Sequence, residues 1–260
     1  MVEVATEAAA AAGRLLVVHW GTTAKVSHKG VVDLVTEADL EVEELVVQML
    51  GAAFPRHGIV AEETRPQGAP TEYCWYVDPL DGTTNFAHHY PHFAVSIALA
   101  YHGTPVLGIV HDPLRKELFA ATLGDGATLN GERIRVSTTA TLGQGLLATG
   151  FPYDRRERAA AYVPIYQAFL SRSQGIRRAG SAALDLCYVA SGRLDGFWER
   201  SLQSWDTAAG TVIVSEAGGM ISDFSNGPFL LGGQEVLASN GSIHLEMINV
   251  LREFQEGPLS

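Results

Sequence analysis

The chain has 260 residues, 47% of them hydrophobic and 18% charged, a globular composition that allows a substantial core and excludes extensive disorder or a coiled coil. Its 18 basic and 29 acidic residues give a formal charge of −11, which argues against a nucleic-acid partner and for a cation. Cys74 and Cys187 stand in no CxxC spacing, so neither a disulfide framework nor a cysteine metal site is expected, and both read as packed thiols.

In chain order, the first element is an alanine-rich helix, Val2 to Trp20, closed by Gly21. Glu3 and Glu7 stand where a signal peptide would carry positive charge, so the segment reads as part of the mature protein. A second helix runs from Thr36 to Ala53, with Thr36 and Asp39 at capping-box spacing. The period then shortens. "HGIVAEE" and "EYCWYVD" read as buried strands that deliver acids at their carboxyl ends, followed by strands in "FAVSIALAYHG" and "PVLGIVHDP". Asp125-Gly126 and Asn130-Gly131 make the next stretch antiparallel. Beyond Ser137 come a strand at Gly145 to Thr149, helices from about Asp154 to Arg172 and Ser181 to Gly192, and a short strand "LDGFWE". A helix at Trp205 to Ala217, two strands and a terminal helix at Ser242 to Phe254 complete the pattern, which predicts helices covering sheets in layers. No apolar run reaches the roughly 18 residues that span a bilayer, so a soluble, cytoplasmic protein is expected.

Within this frame "VDPLDGTTNF", Val77 to Phe86, is unusually particular. A strand ending at Val77 and a turn held by Pro79 would aim Asp78 and Asp81 at one spot, with the Leu80 carbonyl between them. Such oxygens suit a hard cation like Mg²⁺. Gly82 allows close backbone approach, and a short helix starting at Thr83 would offer amides to phosphate. Each remaining acid has an ordinary explanation alone: Glu62 and Glu63 as a solvated strand end, Asp206 as a complement to a helix dipole, Asp39 as a cap. Four such acids on element termini point to one shared site.

The stretches "DLVTEAD", "AEET", "DPLDGTTNF", "RRAGSAALDLCYVASGRLDGFWE" and "SWDTAAGTVIVSEAGG" resemble the successive motifs of the inositol monophosphatase family of metal-dependent, lithium-sensitive phosphatases, from about residue 28 to 240. The resemblance implies an α+β fold of alternating α-β-α-β-α layers with mixed and antiparallel sheets. It implies one phosphatase unit over 1–260, with sublobes at 1–140 for metal and 141–260 for substrate. Glu62, Asp78 and the Leu80 carbonyl match ligands of a first Mg²⁺. Asp78, Asp81 and Asp206 match ligands of a second, and Glu62 also reaches a third, so two or three ions per site are implied. Thr83 matches the threonine that positions the attacking water, Glu62 shares in aiming it, and Asp39 bonds that threonine. Gly82 and Thr83 amides would hold phosphate, while Gly180, Ser181, Ala182, Glu199, Asp81 and Asp206 match positions around the substrate. A homodimer acting on a small phosphate monoester, inositol 1-phosphate first among them, follows from the same resemblance.

The sequence departs from the family pattern at Thr64, where serine is frequent, at Ser181, where several members have threonine, and in "SHKGVVD", which matches loosely around Lys29 and Asp33. Alternatives within the superfamily are histidinol phosphate, fructose 1,6-bisphosphate or a 3′-phosphonucleotide as substrate. An alternative of another class is an interaction protein for the transcription machinery. His88, His89 and His92 read as loop residues, "RRERAAAY" as a solvated helix face, and Phe197, Trp198 and Trp205 as core. Arg177 and Arg178 either support the substrate loop or face water.

Overall fold

The computed structural model describes residues 1–21, 26–28, 34–64 and 71–254. Helix α1, Val2–Trp20, buries Ala5, Ala8, Ala9, Ala12 and Leu16, a stripe with helical spacing whose small side chains let its backbone lie close to its neighbours. It packs on α2, Glu37–Ala53, which buries Val42, Val46 and Leu50. Thr36 caps α2, and the capping box with Asp39 is formed. Between the two helices lies a hairpin, β1 at Val26–His28 and β2 at Leu34–Thr36, that no periodicity in the sequence announced.

Both helices cover one face of a seven-stranded sheet in the order β3-β4-β5-β6-β7-β8-β9. Its strands are β3 at Gly58–Ala61, β4 at Tyr73–Asp81, β5 at Ala94–Tyr101, β6 at Thr104–Asp112, β7 at Glu117–Thr122, β8 at Gly126–Leu129 and β9 at Glu132–Arg133. Only β3 and β4 pair in parallel; the meander from β4 to β9 is antiparallel. The twofold alternation of β5 divides two cores: Val95, Ile97 and Leu99 pack toward α1 and α2, whereas Ala94 and Ala98 pack on the opposite side.

That opposite side receives α5, Ala182–Ala190, and α6, Ser204–Glu216. Beyond them lies a second sheet, order β11-β10-β12-β14-β13, built from β10 at Leu146–Thr149, β11 at Gly175–Arg177, β12 at Gly196–Arg200, β13 at Met220–Ser222 and β14 at Glu235–Ser239. Alternation again divides its residues: Ala148, Phe197 and Ala238 face α5 and α6, while Leu147, Trp198 and Leu237 face α4, Arg155–Leu170, and α7, His244–Arg252. Phe169 of α4 stacks on Trp198 with ring centroids 4.0 Å apart. The layers therefore run α1/α2, sheet, α5/α6, sheet, α4/α7, as expected. Phe197 and Trp198 are core, also as expected.

Three local expectations need correction. Strand β4 does not end at Val77; it continues through Pro79 to Asp81. Strand β11 follows α4 where no strand was expected, because its three residues are too few to show a period. Arg155, at the start of the basic run, is half-buried rather than solvated.

Gly108 fixes how closely α6 approaches the first sheet. A Cβ there would lie 2.4 Å from the carbonyl oxygen of Ala209, a backbone atom that cannot swing aside. Gly108→Ala should therefore destabilise the fold by about 1–3 kcal/mol, read from the urea midpoint. An unchanged midpoint would show that the helix can back away at no cost.

Candidate active site

Parallel pairing of β3 and β4 brings their carboxyl ends to one place. Ala61 pairs with Val77, so Glu62 leaves β3 beside Asp78, which continues in β4, with the Glu62 amide donating to the Val77 carbonyl at 3.3 Å. Asp78 and Asp81 would face opposite sides of a regular strand, because their spacing is odd. The ladder instead shifts register between them: Asp78 pairs with Ser96 and Asp81 with Ala94, three steps on β4 against two on β5. This extra residue turns both aspartates into the same cleft. Sequence reasoning placed a turn at Pro79, and the register shift does the same job inside the strand.

Gly82 follows with φ of +101°, and a Cβ on it would crowd the carbonyls of His92 at 3.0 Å and Gly180 at 3.3 Å. Only glycine fits both demands. Helix α3, Thr83–Ala87, starts next, as expected. Thr83 Oγ1 lies 3.0 Å from Asp39 Oδ1 and 3.0 Å from the Leu80 carbonyl. Asp39 is buried behind Thr83 rather than lining the cleft, and it also accepts from the Thr36 amide at 2.8 Å and from the Thr36 hydroxyl.

The middle helices deliver the rest. Asp81 meets the N-terminus of α5, accepting from Ser181 Oγ at 2.6 Å and the Ala183 amide at 2.7 Å. Asp206 lies in the first turn of α6 and accepts from the Gln203 amide at 2.7 Å. Ser96, opposite Asp78 in the ladder, donates to the Trp205 carbonyl at 3.2 Å and so ties the start of α6 to the sheet beside Asp78. Asn85 Nδ2 donates to the His92 carbonyl at 2.7 Å and the Ala179 carbonyl at 2.9 Å, joining α3 to the loop before α5.

Glu62, Asp78, Leu80, Asp81, Gly82, Thr83, Gly180, Ser181, Ala182, Glu199 and Asp206 thus all line one cleft of ≈ 180 Å³. Every expected site residue but Asp39 is on its wall. Both Arg177 and Arg178 are exposed, and Arg178 lines the cleft whereas Arg177 does not. Sequence reasoning missed Asp185, Arg155 and Gln203, also on the wall. Asp185 had a signal, a lone acid in the otherwise apolar run "AALDLCYVA". His88 and His89 are exposed, as befits a loop, whereas His92 is buried. Lys29 and Asp33 lie outside the described residues.

The electrostatics of the cleft follow from this convergence. Burial pushes Asp78 well above the usual carboxylate range, and Glu62, Asp81 and Asp206 push it further. Burial and then Asp81 do the same to Asp206. Burial raises Asp81 to about 6 against the pull of Ser181 and the α5 amides. Burial raises Glu199 to about 8, with Arg178 opposing. Asp185 is driven up by burial, then by Glu199 and Asp81, and Asp39 is raised by burial alone. Among the described residues no three His, Cys, Asp or Glu side chains are set to hold an ion as they stand. The donor set nevertheless fits one: several clustered carboxylate oxygens with mutual repulsion are the chemistry a hard divalent cation relieves.

A five-layer α-β-α-β-α fold with an acid-lined cleft where strand ends and helix N-termini meet is the arrangement expected of the phosphatase family that the sequence resembles. Comparison with known proteins is specific. The chain belongs to the inositol monophosphatase family, whose model matches residues 1–256, and it is a phosphatase. It is 47% identical over 251 residues to an inositol-1-monophosphatase from Synechocystis sp., covering 96% of this chain and 88% of that protein. Nus factor SuhB of Escherichia coli is 42% identical over 256 residues, covering 97% and 96%. The solved structure of inositol monophosphatase from Anabaena (Nostoc) sp. superposes with a TM-score of 0.90 at 42% identity, covering 99% of this chain and 96% of that one. No helix among the described residues is long and apolar enough to cross a membrane.

The raised carboxyls set a pH dependence. A carboxyl whose folded pKa exceeds its unfolded value keeps its proton in the native state while the unfolded chain ionises, so stability falls as pH rises between the two values. For Glu199 that window runs from the ordinary glutamate value, 4.5, to about 8. In EDTA, Glu199→Gln should therefore gain stability relative to the parent across this interval and hold a constant difference beyond it. A difference independent of pH would contradict the burial of this group.

Proposed function

We propose that the chain is a Mg²⁺-dependent phosphatase that hydrolyses inositol 1-phosphate to inositol and phosphate by in-line attack of water. The observation that carries this reading is the meeting of Glu62, Asp78, Asp81 and Asp206 on the wall of one cleft beside Thr83. Glu62, Asp78 and the Leu80 carbonyl would hold one ion, and Asp78, Asp81 and Asp206 a second, with Glu62 in reach of a third. Bound there, such ions neutralise phosphate charge and lower the pKa of water.

The chain's own groups account for the rest. Thr83 directs its hydroxyl proton to Asp39, which leaves an Oγ1 lone pair to accept from the attacking water, and Glu62 takes the other side of that water. The Gly82 and Thr83 amides hold phosphate oxygens. Gly180, Ser181, Ala182 and Glu199 surround the alcohol, and Asp81 also touches a hydroxyl. Burial raises the Glu199 carboxyl to about 8 in the metal-free site, so it can accept from a ring hydroxyl and, when protonated, also donate to one. In this reading the chain is one phosphatase unit, with sublobes at 1–140 and 141–260 that share the cleft, and it acts in the cytoplasm as a homodimer.

Two observations favour second readings. Arg155 and Arg178 on the cleft wall suit a substrate with a further anionic group, such as fructose 1,6-bisphosphate. The relatives named Nus factor SuhB favour a contact with transcription machinery, which pull-down with a catalytically dead variant addresses.

Millimolar Mg²⁺ should raise the melting temperature, and Asp81→Asn should abolish most of that shift and of the activity. A melt indifferent to EDTA would remove the metal from this reading. Across a panel of inositol 1-phosphate, histidinol phosphate, fructose 1,6-bisphosphate and 3′-phosphoadenosine 5′-phosphate, kcat/KM should be highest for the first; a tenfold preference for any other would reassign the substrate.

A further inference from the structure

Glu43 lies one helical turn after Asp39 on the buried face of α2, only 1% exposed and outside the cleft wall. Both its oxygens are engaged. Oε2 accepts from the Glu63 amide at 2.7 Å and Oε1 from the Thr64 amide at 2.7 Å. These are the two residues that follow Glu62, at the point where the chain leaves β3. Short, charge-assisted bonds to two consecutive amides fix both the position and the direction of a backbone segment, as a single neutral bond cannot. Glu62 is thus held from two sides, by the Val77 carbonyl through its own amide and by α2 through the next two.

We propose that Glu43 is a positioning residue for catalysis, setting Glu62 against Thr83. The inference rests on the role proposed above for Glu62. Its substance is that one rigid helix indexes both groups that face the attacking water. Asp39 of α2 holds Thr83 Oγ1 at 3.0 Å, and Glu43, four residues on, holds the segment bearing Glu62. A helix turn keeps residues i and i+4 in constant relation, so the two side chains transmit a fixed distance between strand β3 and helix α3. A glutamine at 43 could accept from only one of the two amides and would turn its own NH₂ against the other.

The test is steady-state kinetics with a Mg²⁺ titration on Glu43→Gln, Glu62→Gln and, as a control on the exposed face of α2, Glu44→Gln. For Glu43→Gln the Mg²⁺ concentration at half-maximal rate should rise, and kcat fall, by roughly 10–100-fold each, the range seen when an outer partner of a metal ligand is lost. At saturating Mg²⁺ the KM should stay within about twofold, because substrate contacts are untouched. Glu44→Gln should match the parent. If Glu43→Gln only lowers the melting temperature in EDTA and leaves both kinetic quantities at parental values, while Glu62→Gln is impaired, the inference is overturned and the metal-site reading survives. Parental kinetics in Glu62→Gln as well would overturn both. Hydrogen exchange in the unmodified protein gives a check that needs no folded variant: the Glu63 and Thr64 amides should be protected, and exchange at unstructured-peptide rates would sink the proposal.

Discussion

Convergence of like charge on one small cleft is the condition to which the rest of this molecule answers. Asp78, Asp81, Asp185, Glu199 and Asp206 line that cleft, and burial is the largest influence raising every one of them. The fold meets this by supplying amide donors from three separate elements. The Leu80 amide serves Asp78 from the strand itself at 2.9 Å, Ala183 serves Asp81 from α5, and Gln203 serves Asp206 from α6. Glu199 and Asp185 have Arg178 as their main offset. Proton uptake or a divalent cation completes the balance, so catalytic chemistry and conformational stability depend on the same few oxygens.

The layer order explains why these elements can meet. The helical middle layer touches both sheets, and its two N-termini point to the edge at which β3 and β4 end. Small residues at the contact, Gly108 against Ala209 and Gly210 against Leu186, draw the helices close enough for Asp206 and Ser181 to reach the strand acids. Packing at those glycines is therefore part of the electrostatics, and the α1/α2 pair on the far side contributes through Asp39 and Glu43.

Much of this was legible in the sequence, for identifiable reasons. Long amphipathic segments such as Val2–Trp20, and capping chemistry such as Thr36 with Asp39, are local and survived intact. The acids of the site could be picked out because each was read at or beside an element terminus, and the resemblance to a known family ordered them. What stayed hidden depends on tertiary placement. Strand β11 is three residues long, the β1-β2 hairpin equally short, and neither has room to express a period. Glu43 was missed because nothing in the local pattern says which face of a helix will be enclosed, whereas Asp185 carried a local signal in its apolar surroundings. Arg155 opens what looks like a solvated basic run, yet only Arg156 to Ala160 face water, and Tyr162 at its end is buried.

The register slip in β4 has a bearing on transplantation. Asp78 and Asp81 share a side of the sheet only because β5 contributes one residue fewer across the same interval. Copying the DPLDGTT heptapeptide into a regular host strand would strand one aspartate on the wrong surface. The smallest portable unit is the heptapeptide together with the mismatched partner segment around Ala94 to Ser96, and a one-residue deletion at 79 or 80 would dismantle the centre while leaving every acidic side chain in the gene product.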